Sequence, residues 1–154
     1  MSGKVLVIGY GNPGRLDDGL GPALAERLAR LAIPGVAVES AYQLTVEDAH
    51  EVSRFPLVIF ADASLVGPEP FSFEPVRRSA GSGLGSHGIE PGEVIALAED
   101  LFGAAPTAYV LAVRGYRFDE FGEQLSEQAE ANLEAAVAFL ARVIAGRQPG
   151  GKER

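Results

Sequence analysis

The stretch VIGYGNPGRLDDGLG, residues 7–21, decides the fold and frames the functional question. It joins a short apolar run to an amphipathic one. The run KVLVIG, residues 4–9, is apolar almost throughout and stops at a glycine. That is the pattern of a strand buried on both faces of a parallel sheet. Beyond the glycines, Leu20, Leu24, Leu28 and Leu31 recur at helical spacing. Pro22 fits the first turn of that helix, where no N–H is needed, and Asp17 or Asp18 is placed to cap it. Between strand and helix stand Gly9, Gly11 and Gly14 in the order G-x-G-x-x-G, then two adjacent aspartates.

The same alternation continues outward. VAVES (residues 36–40) and LVIFADAS (57–64) read as further strands, the second apolar until Asp62. TVEDAHEVSR (45–54) opens like a capping box, with Asp48 three residues after Thr45. FSFEPV (71–76) alternates and carries Pro75, which places it at a sheet edge. A Gly- and Ser-rich loop (77–88) precedes a helix that ends at Gly103. A strand over 107–113 and a long helix over 126–145, with Ser126 as its cap, complete the pattern. Strands alternating with helices predict a three-layer α/β/α fold on a mostly parallel sheet of about five strands. The organisation expected is one α/β domain over 1–146 and a disordered polar tail over 147–154.

Composition narrows the function. The chain has 154 residues, 13 basic against 21 acidic, for a formal net charge of -8. That balance opposes nucleic-acid binding, which needs Lys and Arg to displace counterions. With no cysteine, the chain has neither disulfides, thiolate metal ligands nor a cysteine nucleophile. No apolar run reaches the roughly 20 residues that span a bilayer. A cytoplasmic protein without a membrane partner is expected.

Three readings compete for the opening loop. A dinucleotide-binding turn would aim the helix N-terminus at a pyrophosphate, with Glu39 placed to meet a ribose. Pro13 interrupts that pattern, and two carboxylates at the helix start would repel phosphate. A nucleotide-binding or scaffold domain is therefore the alternative reading. GNPG also resembles a phrase near the start of peptidyl-tRNA hydrolases, but over those four residues alone. The Arg-His-Asn continuation of that family is missing, and no histidine precedes His50.

The third reading starts from the aspartates. In order, GYGNPGRLDDGLGPALAERL, LVIFADAS, SHGIEPGEVIALAEDLFG and FGEQLSEQ resemble the motifs of hydrogenase maturation proteases. These endopeptidases trim the C-terminal extension of the nickel–iron hydrogenase large subunit. YQLTVEDA resembles the Gln-Leu-Thr form of the second loop, found in a subgroup serving soluble, cofactor-reducing hydrogenases. The resemblance covers nearly the whole chain and implies a single protease domain. It implies that Asp18, Asp62 and His87 occupy the positions of the nickel ligands. It also implies that the nickel belongs to the partner, a hydrogenase large-subunit precursor, so that the site is empty in the isolated protein.

The topology is compatible with this set. Asp62 lies at the carboxyl end of a buried strand, Asp18 in the loop leaving another, and His87 in a glycine-rich loop before a helix. Ligands of open α/β sheets bind outside the carboxyl ends of the strands. Two carboxylates and an imidazole suit nickel or zinc and leave positions open. Peptide cleavage is expected by metal-assisted attack of water with a carboxylate base, or by a dyad of Asp18 and Asp62 sharing a proton. Asp17 is the spare acid, and a helix cap or dipole partner is the more ordinary role for it. Ser64 and Ser86 lie near the ligands but lack an evident base. Asn12 is expected to fix the loop through its own backbone, and Gly9 and Gly11 to shape it. Gln43, Leu44 and Thr45 are candidates for substrate contact. His50 and the acidic stretch RFDEFGE, with Asp119, Glu120 and Glu123, are expected to be solvated and chemically idle. A third option is a metal-dependent hydrolase of small substrates.

Overall fold

The computed structural model describes residues 4–80, 88–104 and 106–146. Ser86, His87 and the expected tail over 147–154 lie outside the described residues. Ten elements follow in chain order. They are β1 (Val5–Tyr10), a 3-10 turn (Leu16–Gly19), α1 (Leu20–Arg30), β2 (Val36–Ala41), α2 (Asp48–Val52), β3 (Leu57–Ser64), β4 (Phe71–Pro75), α3 (Pro91–Phe102), β5 (Thr107–Arg114) and α4 (Glu127–Ala145).

The strands form one five-stranded sheet in the order β2-β1-β3-β5-β4. Only β4 runs antiparallel, and it sits at an edge, as Pro75 requires. Both faces are covered. Val5 and Val7 of β1 and Ile59 of β3 pack against leucines of α1 and α4. Leu6, Ile8, Val58 and Phe60 face the other way, onto Val52 of α2 and Val94 and Ala98 of α3. Alternate side chains of one strand thus feed two cores, which is why the central strands read as unbroken apolar runs.

The strand order also fixes where a site can form. From β1 the chain crosses to β2 on one side, then returns by α2 to β3 on the other. The order of connection reverses between β1 and β3, so their carboxyl ends open a crevice. Asp18 follows β1, and Asp62 lies near the end of β3.

The glycines of the opening loop are filled by the chain itself. A β-carbon on Gly9 would overlap the Gly21 carbonyl, and one on Gly21 would overlap the backbone of Tyr10 and Ala61. This pair lets α1 lie directly on β1. Gly11 has φ of 144° and faces the Asp18 carbonyl, where a β-carbon would also overlap. Gly9→Ala is expected to cost about 1–3 kcal/mol by overpacking, measured as a lower urea midpoint with an unchanged m value.

Three local expectations need correction or trimming. Neither Asp17 nor Asp18 caps α1: Gly19 is its N-cap, without a side-chain bond. The 3-10 turn intervenes and sends the two acids elsewhere. The helix expected over 45–54 shrinks to α2, whose N-cap, Glu47, makes no side-chain bond. Half of the capping box survives, because Asp48 Oδ2 accepts the Thr45 N–H at 2.8 Å. Ser126 caps α4 as expected, accepting from the Ala129 N–H, and Gly103 ends α3 in a left-handed conformation.

Candidate active site

The crevice between β1 and β3 is a cleft of about 680 Å³. Asp18 and Asp62 both line it, with Tyr10, Asn12, Arg15 and Gln43. Two of the three residues singled out as ligands, 44 positions apart in sequence by their numbering, therefore meet in one cavity.

Asp62 is half-buried at the floor. Its Oδ1 accepts the N–H of Ala63 at 2.7 Å, and the Tyr10 phenol lies within hydrogen-bonding reach. Burial pushes its carboxyl up to about 6, and the charge of Asp18 adds to the rise; the bonds from Ala63 and Tyr10 only partly oppose it. Burial, and then Asp62 beside it, also raise the Tyr10 hydroxyl far above its ordinary value, so Tyr10 stays a proton donor. A carboxylate held near neutrality in a cleft is suited to accept a proton from water.

Asp18 is positioned by the loop before it. Its Oδ2 accepts the Asn12 N–H at 2.9 Å. The Asn12 side chain in turn accepts the Gly14 N–H at 2.9 Å, the local bond expected of it. The backbone around Gly11 and Asn12 thereby folds toward the Asp18 carboxylate and fixes it at the cleft wall.

Asp17 points the opposite way and leaves the site. It is 0% exposed. Its Oδ1 accepts the Ser126 N–H at 2.8 Å, and its Oδ2 accepts from Tyr116 N, Arg117 N and Ser126 Oγ at 2.8, 3.0 and 2.7 Å. Burial alone would raise this carboxyl, but the bonds from Ser126, Tyr116 and Arg117 outweigh it and hold it below the usual range. The dipole-partner expectation holds for a different helix: Asp17 sits at the start of α4 rather than of α1. It ties the loop after β5 to the loop after β1. Buried and engaged by four donors, Asp17 does not line the cleft where Asp18 and Asp62 meet, which corrects the expectation of a catalytic Asp17.

Other candidates sort by position. Gln43 lines the cleft, but Leu44 is buried in the core, and Thr45 bonds Asp48 instead. Gly88, the residue after His87, packs on Gln43: its Cα carries space that a β-carbon would share with the Gln43 side chain at 3.0 Å. Ser64 Oγ accepts the Gly67 N–H at 2.9 Å and braces the turn after β3. His50 is exposed and stacks near Phe102, 5.0 Å between centroids. The carboxyl of Glu39 is raised by partial burial and then by Glu51 and Asp48, so its near neighbours are acids of α2. Among the described residues no group of three or more His, Asp or Glu side chains is arranged to hold a metal.

Sequence reasoning missed several cleft residues. Tyr10 and Arg15 lie inside the stretch 7–21, where the glycines and acids around them carry the stronger sequence signal. Tyr42, 70% exposed, and Leu65, 61% exposed, form an apolar rim with Phe118. An exposed Tyr beside Gln43, and a Phe within a stretch of acids, were the available signals.

No family model matches the sequence, and no curated protein is similar to it at sequence level. The fold, however, is shared with solved hydrogenase maturation proteases, the family the sequence resembles. The nickel–iron hydrogenase maturation protease HycI from Thermococcus kodakarensis matches with TM-score 0.72 and 21% identity over 93% of each chain. The hydrogenase maturating endopeptidase HybD from E. coli matches with TM-score 0.74 and 18% identity, over 92% of this chain and 91% of that one. A hydrogenase 2 maturation peptidase from a Thaumarchaeota archaeon matches with TM-score 0.69 and 24% identity, over 92% and 97%. No helix among the described residues is long and apolar enough to cross a membrane.

Proposed function

We propose that the chain is an endopeptidase of hydrogenase maturation, which removes the C-terminal extension of a nickel-loaded large-subunit precursor. The observation that carries this reading is the meeting of Asp18 and Asp62 in one cleft at the reversal point of the sheet. The nickel is part of the substrate. Asp18, Asp62 and His87 complete its coordination, and a precursor without nickel lacks the group they bind. Such a site discriminates by differential affinity and holds little metal alone. The return of the described chain at Gly88, against Gln43, supports His87 as the third member.

Bound nickel supplies Lewis acidity toward the scissile carbonyl. The chain supplies the rest. Asp62 takes a proton from the attacking water through the carboxylate oxygen that it does not give to the nickel. Tyr10 holds it in orientation from the floor of the cleft. Asn12 fixes Asp18, which holds the second carboxylate in place for the ligand. The nucleotide-binding alternative loses ground here. The space beside Gly9 and Gly11 is taken by the backbone of Gly21 and Asp18, not left open to a pyrophosphate.

Asp18→Asn and His87→Gln are each expected to abolish processing of the precursor while leaving thermal unfolding within a few degrees of the parent. Full cleavage by either variant removes that residue from the site.

A further inference from the structure

Arg15 is a charged cleft residue that this mechanism does not use. It is the one cation among the described residues lining the cavity, half-buried beside two carboxylates. Arg27, Arg30, Arg54, Arg78 and Arg117 all pair with carboxylates of the fold. No such pair forms at Arg15 among the described residues. Its guanidinium lies instead over the Phe121 ring, 5.1 Å from the centroid.

The backbone presents it deliberately. The Arg15 N–H donates to the Asn12 carbonyl at 3.1 Å, and Arg15 bridges to Gly122 in the loop before α4. The next residue, Leu16, takes a left-handed φ of 55° and donates to the Gly122 carbonyl at 2.8 Å. Strain of this kind persists only where surrounding contacts enforce it. Its result is that Arg15 and Asp18 face the cleft while Asp17 turns inward. The Asp18 N–H donates to the Arg15 carbonyl at 3.1 Å, so the cation and the carboxylate are set by one turn.

We infer that Arg15 is a specificity residue that receives a carboxylate of the bound peptide. A guanidinium fork matches a carboxylate in two parallel bonds, and resting on an aromatic ring removes part of its ordering cost beforehand. Asp18 and Asp62 repel an acidic group elsewhere in the cleft. An acidic group is therefore admitted at Arg15 alone, and this fixes the direction in which the peptide lies. The inference rests on the peptidase reading for its ligand. The carboxylate has two possible sources, the C-terminus of the peptide or an acidic side chain.

Nuclear magnetic resonance of the metal-free, full-length chain tests it, following the arginine Nε–Hε signals. Three probes are titrated: N-acetyl-Gly-Leu with a free carboxylate, its C-terminal amide, and N-acetyl-glutamate α-amide. At least one carboxylate probe is expected to shift the Arg15 signal to saturation, and the uncharged amide to bind about tenfold more weakly. Binding by the first marks the C-terminus as the source, and binding by the third the side chain. Arg15→Lys is expected to weaken that binding several-fold and Arg15→Gln to remove it, both with unchanged thermal unfolding. Equal binding of the uncharged amide, unchanged binding by Arg15→Gln, or no shift with either carboxylate overturns the inference. Processing of the precursor is a separate readout. Failure of the titration leaves the roles of Asp18 and Asp62 standing, and failure of processing leaves a carboxylate site at Arg15.

Discussion

Asp62→Asn is expected to stabilise the protein at pH 8 while abolishing precursor processing. The reasoning is electrostatic. An acid whose carboxyl is pushed up to about 6 in the fold favours the folded state when protonated. That contribution is complete below the ordinary carboxylate pKa of about 4 and is lost as pH rises through about 6. At pH 8 the protein carries a desolvated charge beside Asp18. Removing it is worth at most about 3 kcal/mol by the linkage relation, and less after partial hydration of a half-buried group. The amide still accepts the Ala63 N–H and still meets the Tyr10 hydroxyl. Thermal scans of metal-free protein should show the variant higher in Tm by roughly 5 °C at pH 8, with the difference vanishing near pH 4. A difference independent of pH, or a variant less stable at pH 8, contradicts this view of Asp62. Stability bought by losing activity is the mark of a residue kept for function.

Asp17, next to Asp18 in sequence but turned away from the cleft, behaves in the opposite way. Asp17→Ala is expected to destabilise by about 3–5 kcal/mol, a fall in Tm of roughly 10 °C or more. The substitution strands the N–H groups of Tyr116, Arg117 and Ser126 in the interior. It also cuts the link between the loop bearing Asp18 and the start of α4. Here the carboxyl lies below its usual range, so its contribution is present above the ordinary carboxylate pKa and lost as pH falls. The gap between variant and parent should therefore narrow in acid. A Tm within a few degrees of the parent at pH 7 would show that the four bonds contribute little.

These opposite outcomes come from two aspartates on separate segments, Asp62 near the end of β3 and Asp17 in the turn after β1, and they show what a sequence can carry. The alternation of apolar runs and amphipathic segments is a local property, and it sufficed for the layers, the edge position of β4 and the caps at Ser126 and Gly103. The place of Asp62 in the cleft was legible because an acid closing an apolar parallel strand stands at the carboxyl edge, where such sheets bind ligands. The division of labour between Asp17 and Asp18 was not legible. It depends on the left-handed turn at Leu16 and on partners near residue 120, neither of which leaves a periodic trace. Arg15 was hidden for the same reason: its shelf, Phe121, is supplied by a loop more than a hundred residues later.

The central claim is that two carboxylates and a histidine read the nickel of a precursor. The most direct measurement offers the purified protein the same large-subunit precursor in nickel-loaded and nickel-free form and follows loss of the C-terminal extension by mass. Cleavage of the loaded form alone is the predicted result. Cleavage of both forms alike, or of neither, contradicts it.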